Sequence, residues 1–208
     1  MNYNSPFIKM LETVANMLIV SFFWLVFSLP VITVVPASAA LFHTMSKIVF
    51  GPGRGNGVFR DYLQAFKVNL KSGLILSVIL ILCVLVLLEG LWTGWQIYKI
   101  SIWGMLYMIL GVVLTLAAVL TFVNIPAVLS RFDAPVSSLL RIALYIGLKH
   151  PLRTLFSAVF LAVSVWMIGF FPLALLILPG LYTDLTRQAL ERDMDMFVKE
   201  NGLEERED

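Results

Sequence analysis

The side chains with the most chemical character form a stripe. Arg60, Gln64, Lys67 and Lys71 recur at steps of four, three and four, turned by one residue from an apolar row of Phe59, Leu63, Phe66 and Leu70. This spacing predicts a basic amphipathic helix over Val58 to Lys71. Its chemistry is recognition of a membrane surface or of a groove on a partner, and it contains no acid–base or nucleophilic pair. A second interval, Ala134 to Arg153, repeats the pattern with Ser138, Arg141, Tyr145 and Lys149. The residues expected to bind a partner are therefore Phe59, Arg60, Tyr62, Phe66, Lys67 and Lys71 on the first helix, and Arg141, Tyr145 and Lys149 on the second.

Catalytic groups are sparse. His43 and His150 stand far apart, without HExxH spacing and without a cysteine partner, so no metal site is expected. The single cysteine, Cys83, lies in an apolar run, where it packs as a small hydrophobe. There is no Gly-x-Ser-x-Gly, and the glycine-rich stretch Gly51 to Gly57 lacks the Gly-Lys-Ser/Thr of a phosphate loop. No cofactor and no catalytic residue is expected. Glu89 falls at a span boundary, and Asn16, Ser28, Thr33 and Asn124 are expected to hydrogen-bond between helices.

The elements that carry these groups follow from composition. Sixty per cent of the 208 residues are hydrophobic and 13% are charged, and the mean hydropathy is +0.91. A soluble domain carries about 25% charge. Apolar runs of bilayer-crossing length alternate with short charged intervals, and period-two alternation is absent. The expected fold is all-α: a polytopic transmembrane helical bundle of about five spans, or four if the last apolar run is one segment. A net charge of +2 gives nucleic acid no electrostatic footprint.

Asn4-Ser5-Pro6 reads as a helix start. The first span is placed at Val14 to Val35, with a kink at Pro30 and a helical extension from Pro36. Ala37-Ser38-Ala39 has the form of a signal-peptidase site, but Lys9 beside Glu12 is a poor basic leader and the apolar run is too long. The second span is Ser72 to Leu88. An interfacial turn rich in aromatics, with Trp92, Trp95, Tyr98 and then Trp103, follows over Glu89 to Ser101. The third span is Ile102 to Val123 and the fourth Leu155 to Phe171. A fifth passes Pro179 into a helix from Leu181 to Lys199. Residues 1–200 form one transmembrane domain, and 201–208 a disordered acidic tail.

A shift of 78 residues aligns Ala65-Phe66 with Ala143-Leu144 and Leu70-Lys71 with Leu148-Lys149. Pro36-Ala37 and Pro126-Ala127 precede the two amphipathic intervals in the same order. A unit of span, amphipathic helix and span used twice accounts for this. The Met45–Ser72 interval has five basic residues, Ser130–Thr154 four, and Glu89–Ser101 one, which puts both amphipathic helices in the cytoplasm. Five spans then put the N-terminus outside and the acidic tail inside.

Phe23-Trp24, Ser28-Leu-Pro-Val-Ile-Thr33 and Pro36-Ala-Ser-Ala-Ala-Leu41 resemble the YesL-like family of small bacterial membrane proteins. Phe59-Arg-Asp-Tyr62 leading to Ala65-Phe-Lys-Val-Asn-Leu-Lys71 continues the resemblance, whose specificity lies mostly in the first 75 residues. The family has no assigned function. Its members accompany components of carbohydrate ABC importers. The resemblance thus implies a multi-pass protein of the bacterial cytoplasmic (inner) membrane. It implies a non-enzymatic accessory subunit that associates with importer permease or ATPase subunits and aids their assembly, stability or regulation. The alternative is an independent small-solute transporter or channel; an enzyme acting on lipid or lipid-linked sugar ranks third. Ala143 and Gly147 have the spacing of the ATPase-docking loop of ABC permeases, but Arg141 stands where that motif has glutamate, and no docking is inferred from it.

Overall fold

The computed structural model describes residues 6–50, 57–170, 176–186 and 194. The expected N-cap at Ser5, the Gly51–Asn56 part of the glycine turn, most of the Leu181–Lys199 helix beyond Thr186, and the 201–208 tail lie outside these residues. The described chain is helical, with no strand: α1 Pro6–Ser28, a 3-10 turn Val31–Thr33, α2 Val34–Phe50, α3 Val58–Ile97, α4 Ile102–Phe122, α5 Ile125–Arg131, α6 Val136–Lys149 and α7 Pro151–Phe170. Residues 178–186 are again helical. Among the described residues, four helical segments are long and apolar enough to cross a membrane, and the α6–α7 pair makes a fifth if it is one broken span.

The first correction concerns the first span. Val14 to Val35 is not one kinked helix with an extension. Pro30 takes an extended conformation (φ −74°, ψ 115°), and the chain turns back on itself. Trp24 Nε1 donates to Ser38 Oγ at 3.0 Å. In a continuous helix, fourteen residues would separate these groups by about 21 Å. Proline lacks an N–H and pushes the residue before it out of the helical region, so α1 stops at Ser28. Thr33 then seals the end: its hydroxyl lies 2.6 Å from the Phe27 carbonyl and 2.7 Å from that of Pro30. A helix-terminal carbonyl that would otherwise lack a donor is thereby satisfied. Reversal puts the start of α1 at the same end of the bundle as the end of α2 and the start of α3.

The second correction is that the amphipathic interval Val58–Lys71 and the second span are one helix. α3 has 40 residues, about 60 Å at 1.5 Å per residue. No proline interrupts it. The first interior glycine, Gly73, serves a helix crossing and not a break: a Cβ there would lie 2.6 Å from the Pro36 Cβ. The helix also continues through Glu89 to Ile97, so the expected interfacial turn shrinks to the residues between Ile97 and Ile102. Ser101 caps α4, accepting from Trp103 N at 3.3 Å.

α2 is the centre of the bundle. One side gives Ala37, Ala40, Leu41 and Met45 to a cluster with Val20, Tyr62, Ala65 and Phe66. The other gives Val35, Ala39 and Phe42 to a cluster with Leu76, Ile125, Val128, Leu139, Ile142 and Ile146. The small side chains of Pro36-Ala-Ser-Ala-Ala40 let α1, α3 and α5 approach it closely, as in helix packing within lipid. The two helices that open with Pro-Ala, α2 and α5, therefore pack against each other. Span, break, Pro-Ala helix, amphipathic segment and span follow in this order in both halves. The halves differ at one point: α3 runs on unbroken, whereas α6 and α7 meet at 104°.

From residue 78 to 119, α3 and α4 form a hairpin with few other neighbours. Leu82, Leu85, Val86 and Leu88 on α3, and Leu106, Ile109, Leu110 and Val113 on α4, are exposed. A surface of this size and apolarity suits lipid. Trp92, Trp95 and Trp103 are exposed at its tip, and Lys99 Nζ lies 5.9 Å from the Trp95 ring centre and 5.4 Å from that of Tyr98. Such a belt of aromatics with a cation is the pattern of a membrane interface.

Candidate partner-binding surface

The first turns of α3 separate into two faces. Phe23, Phe27 and α2 cover the apolar face. The Phe66 ring packs on Phe27 at 4.8 Å between centroids, and the Phe59 ring on Phe23 at the same distance. Tyr62 is fully buried and its hydroxyl donates to the Ala37 carbonyl at 3.1 Å. Tyr62 and Phe66, expected on the partner surface, are therefore core residues that tie α3 to α1 and α2. Phe59 keeps half of its surface exposed at the edge.

The opposite face carries Arg60, Gln64, Lys67 and Lys71, all exposed. Their helix is already held by the buried aromatic face, so the cations are not needed to fold it. Four helical positions within three turns, three of them cationic, make a rigid strip that can meet carboxylates or phosphates.

The second set sits on α6. Its inward face is Leu139, Ile142, Ala143, Ile146 and Gly147, packed on α4 and α5. A Cβ on Gly147 would fall 2.6 Å from the Leu120 carbonyl oxygen, so α6 crosses α4 at backbone distance. Ala143 and Gly147 thus serve packing. Arg141, Tyr145 and Lys149 point outward. Lys149 Nζ donates to the Tyr145 hydroxyl at 3.0 Å and lies 5.2 Å from the ring centre. The two basic sets lie on different helices, α3 packed on α1 and α2, and α6 packed on α4 and α5.

The expected interhelical hydrogen bond of Asn124 is present, at the two helix breaks of the second half, and its partner is Thr154. Asn124 is fully buried between α4 and α5. Its Nδ2 donates to the Leu120 carbonyl at 2.8 Å and lies 3.3 Å from Thr154 Oγ1 on α7. Its Oδ1 is buried without a hydrogen-bond partner. Asn124 was legible as a polar residue at a span end, but Thr154 lay unmarked at the edge of an amphipathic interval. Ser28 bonds within α1, to the Leu25 carbonyl, while Thr33 bonds from the 3-10 turn back to Phe27 of α1 and to Pro30. Ser21 and Ser77 are buried with unpartnered hydroxyls, and Asp184 Oδ1 is likewise buried and unpartnered. Among the described residues, no three His, Cys, Asp or Glu side chains are grouped to hold a metal ion.

No curated protein and no solved structure matches the chain. Residues 17–91, which take in most of α1, all of α2 and α3 through Leu91, match the model of a protein family of unknown function, DUF624, in keeping with the YesL-like resemblance carried by the same residues.

Proposed function

We propose that this protein is a non-enzymatic accessory subunit of a membrane complex and that it docks through the α3 stripe of Arg60, Gln64, Lys67 and Lys71. The observation that carries this reading is the division of labour on α3. Tyr62 and Phe66 hold the helix, while the cations one step round it stay exposed and serve no internal contact that the fold depends on. A positive strip on a fixed helix fits an acidic surface on a partner and steers its approach. The YesL-like resemblance names the partner class as a carbohydrate ABC importer of the bacterial cytoplasmic membrane, through its permease or ATPase subunits. Mild-detergent purification of the tagged protein from its native host, with mass spectrometry of the co-eluting chains, tests this. Stoichiometric importer subunits are the expected result. A homo-oligomer free of them would overturn the reading.

One observation favours the alternative of an independent small-solute transporter. Asn124 brings an unpartnered Oδ1 to the point where α4 and α5 break, beside the α6–α7 bend. Broken helices with unwound polar groups form substrate and ion sites in secondary transporters. Solute flux into proteoliposomes containing this protein alone, lost on Asn124→Leu, would establish that role.

A further inference from the structure

The two basic helices have outward faces of different chemistry, and we infer that α6 is an interfacial helix whose outward face, with the first turn of α7, binds anionic phospholipid headgroups. This stands independently of the partner proposed for α3.

Orientation comes first. α6 and α7 meet at 104° across His150. α7 has 20 residues, about 30 Å of helix, which is the thickness of the hydrocarbon core. It exposes Phe156, Val159, Val163 and Trp166, as a lipid-facing span does. With α7 across the bilayer, α6 lies close to its plane.

The outward face of α6 fits that position. Its inward face is already filled by α4 and α5, so burial in the protein does not account for further apolar residues. Yet Leu144 and Leu148, one turn apart on α6, are 38% and 59% exposed, and Leu152 in the first turn of α7 is 81% exposed. Arg141 and Lys149 on α6 and Arg153 on α7 neighbour these leucines in the sequence, and no acidic residue occurs from Val136 to Phe156. Exposed leucines with basic neighbours, in a segment without acidic residues, suit the boundary between acyl chains and negative headgroups. On α3 the stripe lacks comparable exposed leucines. Arg153 also lines a cleft of about 270 Å³ with Leu152, Phe156, Ser157, Leu185 and Thr186. The Ser157 and Thr186 hydroxyls donate to the Arg153 and Tyr182 carbonyls, so the cleft is an apolar trough beside a basic residue, which suits acyl-chain carbons next to a headgroup.

The test uses the full-length protein in vesicles of phosphatidylglycerol mixed with phosphatidylcholine. A nitrobenzoxadiazole label is placed on Leu148→Cys, and separately on Gln64→Cys, both in a Cys83→Ser background. The label at 148 should be quenched by lipid with a nitroxide high on the chain and shielded from aqueous iodide; the label at 64 should show the reverse. Iodide quenching at 148 equal to that at 64, or shielding at 148 from both quenchers, would overturn the interfacial assignment. The headgroup is tested by lipid retained on the purified protein. Arg141→Gln, Lys149→Gln and Arg153→Gln together should lower the preference for phosphatidylglycerol over phosphatidylcholine by on the order of tenfold or more, since each basic residue near an anionic surface contributes. Arg60→Gln, Lys67→Gln and Lys71→Gln together should leave it unchanged. Equal preference in wild type and in both triple variants would overturn the headgroup assignment.

Discussion

Gly73 of α3 lies against Pro36 of α2 with no room for a side chain: a Cβ would sit 2.6 Å from the proline Cβ and 2.9 Å from its Cδ. The proline ring is rigid and opens the central helix, so it cannot turn aside. Gly73→Ala must separate the two backbones, at a cost of about 1–3 kcal/mol for overpacking. Thermal unfolding in mild detergent, followed by size-exclusion fluorescence, should show a lower midpoint. Gly111→Ala is the control, because its nearest neighbour is the Cδ2 of Leu91 at 3.4 Å, a flexible side-chain end. It should leave the midpoint unchanged.

Tyr62 and Lys67 lie on opposite faces of one helix and should respond oppositely. Tyr62→Phe keeps the ring among Phe23 and Phe27 but leaves the Ala37 carbonyl without its tyrosine donor, costing about 1 kcal/mol. Tyr62→Ala also opens a cavity and should cost about 3–5 kcal/mol. Lys67→Glu should change stability by no more than about 0.5 kcal/mol, as exposed substitutions do. A large loss of stability in Lys67→Glu would mean that the stripe is structural.

Asn124 holds two helix breaks together, so its removal should loosen the second half more than the first. Asn124→Leu gives up the bonds to Leu120 and Thr154, a loss of about 1–3 kcal/mol. Thr154→Val gives up only the second and should cost less. Hydrogen exchange should rise at α5 and at the start of α7 while α1 stays protected. Uniform loss of protection would contradict this division.

Much of the second half was legible residue by residue. The apolar run from Ile102 to Val123 locates α4, and the amphipathic interval Ala134 to Arg153 contains α6, although α5 and the break at His150 were not legible. Local signals decide those boundaries, and the structure follows them within a few residues. The first half resisted for two physical reasons. The run from Val14 to Met45 is apolar on both sides of Pro30, so composition could not separate a kink from a reversal. The reversal is decided by tertiary contacts such as Trp24 to Ser38. The period of the Val58–Lys71 helix was plain, but not what would cover its apolar face. α1 and α2 cover it, which is why Tyr62 and Phe66 belong to the core. The outward stripe of that segment was readable because charge at helical spacing has few other homes. The Asn124–Thr154 contact joins residues 30 apart in sequence, and no local pattern announces such a pair.

The most direct test of the account is photocrosslinking from the α3 stripe in living cells of the native host. A photoreactive residue at Gln64 or Lys67 is compared with one at Val86, on the apolar stretch of the same helix. The account predicts adducts from 64 and 67 to a permease or ATPase subunit of a carbohydrate importer, and no such adduct from 86. Absence of a protein adduct at both stripe positions, in cells where the importer is assembled and active, would contradict it.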